Sequence, residues 1–350
     1  MRILFPLNKK NQQRQLEKLV YVYPALLAMY ATKLRNDGND VVWAGNDDGS
    51  FDKIIYDDSM IDINFNELPY PDRIFTDAKN KRWQVYGNYR YHPATHSQVA
   101  NLCWYSRCVF CRDTQRLESG EEPGLRSVGH FLEEIDDLIK NGYRECFDDS
   151  GTFPIGKWLD EFCNKMISSG RNKKIVLGAN MKPVSNVDYE LMGRAGFKFM
   201  LFGMESANQE TLDIIKKGGR ADEYIKIMKR ASAAGLAPHT TWMTGYKWET
   251  DKDEQKTVDL CNYLLKKGYA KTAQASVYSP PWTEPDPNSP GHKYIPKFYD
   301  AYKSPEFLWR KLTDIRCVED VSYLLRGARL VAEEKLRKFL FQLKNKSSSK

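Results

Sequence analysis

No apolar stretch in these 350 residues approaches the ~20 needed to cross a bilayer as a helix. The opening Met-Arg-Ile-Leu-Phe-Pro-Leu-Asn-Lys-Lys has too short an apolar core for a signal peptide. It reads as a first β-strand, and the expectation is a cytoplasmic protein with no membrane contact. Cysteine is sparse and odd in number, seven in all, which excludes the paired framework of a small secreted domain. Cys146, Cys163, Cys261 and Cys317 lie scattered in apolar or helical contexts, where a thiol packs as a small hydrophobe. Acid is missing from the last stretch: residues 335–350 hold Lys335, Arg337, Lys338, Lys344, Lys346 and Lys350 without one Asp or Glu. Of the formal net charge of +7, those six leave only +1 for the remainder. A basic tail can meet RNA or another polyanion. A solvated helix end is the preferred reading, with nucleic acid a secondary expectation.

What is present is ordinary for a globular chain, 41% hydrophobic and 28% charged. The length suits two domains or one barrel with appendages. Ile3–Phe5, a long helix over about 15–36 closed by Gly38, and Val41–Ala44 read as a βαβ opening. A further strand is expected at Ile54–Tyr56, followed by a proline-bearing linker. From Ser97 onward, strand-like runs at 97–102, 143–148, 174–179, 197–203, 238–244 and 272–278 alternate with helical periodicities. Ser127 is expected to N-cap a helix carrying Phe131, Leu132, Ile135, Leu138 and Ile139 on one face. Ser185 with Asp188, and Thr250 with Asp253, match capping boxes, and Gly196 and Gly235 stand at helix stops. Helices follow at Glu306–Thr313 and Val318–Leu343, packed outside a barrel or closing its mouth. Six β–α units in series imply parallel strands. The fold class is thus α/β: a partial (β/α)6 TIM-like barrel with a short N-terminal Rossmann-like α/β element and C-terminal helices. The expected domains are 1–90, 91–290 and 291–350.

The chemistry centres on Asn101-Leu-Cys-Trp-Tyr-Ser-Arg-Cys-Val-Phe-Cys-Arg-Asp113. Four cysteines would fill a zinc tetrahedron or all four irons of a cubane. Three leave one position open, and on a 4Fe–4S cluster the open iron can take the amino and carboxylate groups of a small ligand. A zinc knuckle completed by His92 or His96 is the competing reading, and three buried hydrophobes the bland one. In a β/α barrel, loops after the strands carry the chemistry. The same rim would receive Asp148, Asp149 and Ser150, then Asn180, then Glu205, then Gly245 and Glu249.

Four further segments lie in order along that rim. They are Phe147-Asp-Asp-Ser-Gly-Thr-Phe153, Phe202-Gly-Met-Glu-Ser-Ala-Asn208, Met243-Thr-Gly-Tyr-Lys-Trp-Glu-Thr250 and Tyr278-Ser-Pro-Pro-Trp-Thr-Glu-Pro285. With the cysteines, they make residues 97–345 resemble the radical S-adenosylmethionine (SAM) superfamily, in particular its cobalamin-binding-domain branch. The resemblance implies that Cys103, Cys108 and Cys111 ligate three irons and that Phe110 contacts the adenine. It also implies that Asp148 or Asp149 takes the methionine ammonium, that Glu205 with Asn180 reaches the ribose or amino group, and that Met243 and Gly245 line the adenine side. Simple helix capping is the alternative role for Asp148, Asp149 and Glu205.

The chain departs from the family pattern in three places. Four residues rather than three separate the first two cysteines, Lys247 stands where proline is usual, and the loop Pro6-Leu-Asn-Lys-Lys-Asn holds no histidine, so cobalamin is not expected. The implied function is reductive cleavage of SAM to a 5′-deoxyadenosyl radical that abstracts hydrogen from an unknown substrate. An external electron donor such as flavodoxin or ferredoxin would serve it. The alternatives are a methyl- or methylthio-transferase acting on RNA and a noncatalytic zinc or iron–sulfur protein. His239, Trp242, Tyr278 and Trp282 are candidates to shape the substrate pocket.

Overall fold

The computed structural model describes the chain apart from residues 7–23, 44–46, 58–59, 77–88, 282, 285, 316 and 327–350. The start of the expected first helix, most of the Pro6–Asn11 loop, Trp282 and the basic tail therefore lie outside the described residues.

The N-terminal sheet is parallel, with β1 (Arg2–Phe5) between β2 (Asp40–Trp43) and β3 (Lys53–Ile54). Helix α1 (Ala25–Asn36) lays Leu26, Met29, Tyr30 and Leu34 against Ile3, Phe5 and Val41. Gly38, at φ +86°, ends it where a helix-stop glycine belongs.

The second sheet is parallel and open, six strands in sequence order: β4 (Ala94–Ser97), β5 (Glu145–Asp148), β6 (Val176–Met181), β7 (Phe197–Glu205), β8 (Ala237–Thr244) and β9 (Thr272–Val277). Helices α2 (Arg112–Glu118), α3 (Val128–Lys140), α4 (Lys157–Ser168), α5 (Tyr189–Arg194), α6 (Gln209–Ile214), α7 (Tyr224–Ala233) and α8 (Asp251–Lys267) connect the strands. Period-2 alternation sorts the strand residues onto two faces. Leu177, Met200, Phe202, Met204 and Trp242 pack outward in the layer shared with the helices. Phe147, Phe199 and Leu201 pack inward with Tyr89 and Ala94, making an apolar plug in the lumen.

Several expectations hold and several need correction. Ser127 accepts from His130 N and starts α3, and Thr250 and Asp253 form the full capping box of α8. The 185–188 box does not form: Asp188 itself caps α5 by accepting from Leu191 N, while Ser185 O accepts from Arg230. The strand expected at 97–102 is β4 at Ala94–Ser97, three residues earlier. Beyond Ser97 the amides of Val99 and Ala100 are taken by side chains, and among the described residues only an isolated bridge joins Ala100 to Leu125. Val99 N donates to Asp148 Oδ2 (2.8 Å), and both Val99 N and Ala100 N donate to Ser150 Oγ (3.0 and 2.9 Å). Val99 and Leu102 are buried all the same. Apolarity alone therefore mimicked a strand.

The open edge at β9 is covered by the 3-10 segment Ile295–Lys303. Ala273 N donates to Tyr302 Oη (2.7 Å), Tyr302 Oη donates back to Ala273 O (3.4 Å), and Ala275 N donates to Tyr299 Oη (3.2 Å). Helix α9 (Pro305–Thr313) follows, and the chain is helical again over 318–326. These C-terminal segments pack at the end where the strands begin. Arg326 donates to Tyr89 O, Asp320 pairs with Arg90, and Glu319 with Arg144. The described part of the C-terminal region thus covers the barrel floor and not its mouth.

Candidate active site

The three cysteines lie on the loop between β4 and α2, at the end where the strands finish, and all three thiols are free and partly accessible. The loop is braced from several sides. Asp113 Oδ2, in the first turn of α2, accepts from Cys103 N (2.8 Å). Val109 N donates to Ile215 O (3.1 Å), and Trp104 Nε1 donates to Phe153 O (3.1 Å). Gly151, after β5, passes so close that a Cβ there would sit 2.1 Å from Asp113 Oδ2 and 3.1 Å from Cys103 Cβ. The loop's root is held by Asp148 and Ser150, both buried. Ser150 was only a rim residue in the sequence; its hydroxyl in fact organises the turn.

Asp148 is fully engaged. Oδ2 accepts from Val99 N and Ser97 Oγ, Oδ1 accepts from Ser150 N (3.1 Å), and burial pushes its carboxyl up to about 7. Asp149 is the exposed member of the pair. Neither caps the next helix, since the N-cap of α4 is Gly156. Asn180, half-buried, donates to Ser150 O (2.9 Å). Glu205 ends β7 at φ +65°, beyond a register shift, and its Oε1 accepts from Lys217 Nζ (2.7 Å). A bulge that forces a non-glycine residue into the left-handed region re-aims its side chain. Glu205 is no cap either, because α6 starts from Asn208.

Two lysines flank the cysteine loop that sequence reasoning did not single out. Lys217 lies 5.8 Å from the Phe110 ring centroid, and Lys182 Nζ sits 2.9 Å from that of Tyr105 and donates to Lys217 O. Burial pushes the Cys108 thiol up to about 11, with Lys217 and Lys182 pulling the other way. Burial lowers Lys182 to about 8. An isolated lysine in a sequence rich in lysine gives no signal of this position.

The motif after β8 serves mainly to lock loops. Glu249 Oε1 accepts from Ser206 Oγ (2.7 Å), Asn208 Nδ2 (3.1 Å) and Thr211 Oγ1 (2.6 Å), tying this motif to the one after β7. Tyr246 stacks at 4.8 Å on Tyr278, joining the last motif. Gly245, at φ +85°, meets the chain's own Ser289 and Gly291, and a Cβ there would lie 2.5 Å from Ser289 Oγ. Met243 is half-buried on the face of β8 opposite Trp242, level with Ser276 of β9. Trp242 points outward onto Phe298, so it does not shape a lumen pocket. His239 is buried and bonded to Thr272 Oγ1 (2.8 Å).

Cys103, Cys108 and Cys111, all free and partly accessible on one loop, are the residues that would hold a 4Fe–4S cluster, each thiolate on a separate iron. His96 is not a spare ligand: it is buried against Tyr89 Oη, and desolvation lowers it to about 3.

Comparison with known proteins bears on the same segment. No curated protein matches. The fold is similar to a radical SAM methyltransferase, TsrM, from Kitasatospora setae, solved with tryptophan substrate and a SAM analogue bound. The identity is 18% and the TM-score 0.45, over 56% of this chain and 41% of that one. It is also similar to the cobalamin-dependent SAM radical enzyme OxsB, at 16% identity and TM-score 0.47 over 71% and 34% of the two chains. A third is methylornithine synthase (PylB), at 12% and 0.43 over 67% and 68%. The chain thus spans less than half the length of the first two. Residues 98–261, from just after β4 into α8, match the family model described as Radical SAM superfamily.

Proposed function

We propose that this chain is a radical SAM enzyme in which Cys103, Cys108 and Cys111 hold a 4Fe–4S cluster. When bound there, the cluster and SAM supply reductive cleavage of SAM to a 5′-deoxyadenosyl radical that takes hydrogen from a substrate. The observation that carries this reading is the three free thiols on one braced rim loop within the matched segment. The chain's residues bind and orient. Asp149, exposed where Asp148 is buried, receives the methionine ammonium, since a charge-assisted bond orients well in a dry site. Glu205, held by Lys217, reaches the ribose or amino group, and Asn180 supports the loop between them. Phe110 and Met243 flank the adenine, whereas Gly245 is assigned to loop packing.

The electron enters at the exposed side of the cysteine loop. Trp104 and Val109 are exposed there, as are Arg107 and Arg112 nearby in sequence and Lys216, whose neighbour Ile215 accepts from Val109 N, a surface suited to an acidic donor such as flavodoxin or ferredoxin. The described residues contain no helix long and apolar enough to cross a membrane, and a cytoplasmic setting suits an oxygen-labile centre. The absence of histidine from Pro6–Asn11 supports a reaction without cobalamin, and the basic tail alone favours RNA as substrate. The test is anaerobic reconstitution with iron and sulfide, reduction, and measurement of 5′-deoxyadenosine from SAM with no corrinoid added. About four irons per chain with acid-labile sulfide and 5′-deoxyadenosine are expected; one zinc with no iron refutes the reading.

A further inference from the structure

At the opposite end of the barrel from the cysteines lies a cavity of about 480 Å³, between the starts of β7, β8 and β9 and the C-terminal segment. Its walls are of two kinds. Phe199, Leu236, Ile315 and Leu324 form an apolar side, and Lys198 and Lys311 bring ammonium groups. The other charged groups facing it are already matched: Arg90 pairs with Asp320 at 2.8 Å, and Lys271 with Asp314 at 2.6 Å. Glu145 accepts from the backbone amides of Arg90 and Tyr91 (2.8 and 2.7 Å). Lys198 and Lys311 have only backbone carbonyls, those of Gly235 (3.2 Å) and Lys271 (2.9 Å), and no carboxylate partner among the described residues.

Two ammonium groups without a carboxylate in direct contact, beside an apolar wall, set the chemistry of an occupant. An ordinary floor between barrel and helices would be apolar or would close its ion pairs, because a desolvated cation without a partner is costly. We propose that this cavity binds a small phosphate monoester with an apolar body, its dianion between Lys198 and Lys311 and its body on Phe199, Leu236, Ile315 and Leu324. The charge match is quantitative: a phosphate monoester carries roughly −1.5 to −2 at pH 7, against two unpaired lysines.

The electrostatics of the empty cavity agree. Burial lowers Lys311 to about 8, with Lys271 and Arg90 adding to the effect and Asp314 opposing it, and burial with Arg90 lowers Lys198. Burial also pushes Glu145 up to about 7, which reduces its opposing negative charge at neutral pH. An arriving dianion relieves the repulsion among these cations, and its apolar body covers surface that the fold leaves facing the cavity.

The experiment is calorimetric titration of the full chain with phenyl phosphate. Binding is expected, weakened about tenfold or more, the loss of one charge-assisted contact, in both Lys198→Met and Lys311→Met. Lys165→Met, which removes only an exposed pair with Glu161, should bind as the parent does. If Lys311→Met misfolds, Lys198→Met alone decides, since its lysine contributes only one carbonyl bond to the fold. Benzoate, with one charge, should bind at least tenfold more weakly. The proposal is overturned by no binding up to about 10 mM phenyl phosphate, well beyond a specific range. Equal affinity in the Lys198→Met protein, or benzoate binding as tightly as phenyl phosphate, overturns it too.

Discussion

Cys108 and Cys163 are both free thiols, yet the fold treats them differently. Cys163 is fully buried on α4 among Phe162, Met166 and their neighbours, and burial holds its thiol far from ionisation, at about 12. Cys108 stands half-accessible on a loop beside two lysines. Cys108→Ala is accordingly expected to abolish the broad absorbance near ~400 nm of a thiolate-bound cluster, and Cys163→Ala to retain it with some loss of melting temperature. Full iron content in the Cys108 variant would remove that residue from the ligand set. Gly151→Ala gives a subtler test. Its added methyl would displace Asp113, whose carboxylate holds Cys103 N. Iron retention should fall while far-UV circular dichroism stays unchanged, because the clash is confined to two rim loops. Unimpaired reconstitution of that variant would show that the loops part without consequence.

Strands β5 to β9 were readable because their apolar runs are bounded by glycine stops, as at Gly196 and Gly235, and by capping signals at Ser127 and Thr250. What misled was an apolar run whose partners are largely side chains: 98–102 looks like a strand, but the amides of Val99 and Ala100 belong to Asp148 and Ser150, residues about fifty positions away. The three clustered cysteines and the acidic rim residues were legible as types and spacing. Which of Asp148 and Asp149 is exposed was not, since that depends on the turn the chain makes after β5. Lys182 and Lys217 were invisible for the same reason. Edge protection was equally hidden, because tyrosines at 299 and 302 say nothing of β9 until the chain folds back. Tyr302→Phe loses the hydroxyl that bridges Ala273 N and O, so a buried amide is left unpaired. A loss of about 1–3 kcal/mol is expected, with faster amide exchange confined to β9 and the 295–303 segment. Exchange unchanged in β9 would mean that water replaces the hydroxyl.

The N-terminal sheet and the barrel share a buried ionic joint. Glu134 on α3 accepts from Arg126 through Oε2 and from Arg73 through Oε1, and all three side chains are at most 2% exposed. Arg73 also donates to His96 O (2.7 Å) and Thr95 Oγ1 (3.2 Å) of β4, so one guanidinium ties the segment after the first sheet to the first barrel strand. Burial alone would push the Glu134 carboxyl up, but the Arg126 and Arg73 guanidiniums outweigh it and hold it below its usual range. A carboxyl depressed in the folded state contributes stability that is present above its unfolded pKa of about 4.5 and is lost as pH falls through the folded value. Glu145 and Asp148 act in the opposite sense. Both are raised to about 7, so their contribution is present below about pH 4 and lost as pH rises through 7. The two trends overlap in the parent protein, and the Glu134→Gln variant separates them. At pH 7 it removes the carboxylate that two buried guanidiniums share, so it should be roughly 3–5 kcal/mol less stable than the parent. The gap should narrow as both are taken below pH 4 and the parent's own Glu134 becomes protonated. Denaturant melts of the two proteins at pH 7 and at progressively lower pH measure this difference, from which Glu145 and Asp148 cancel. A gap that stays constant with pH would mean that the joint acts through shape and hydrogen bonding rather than charge.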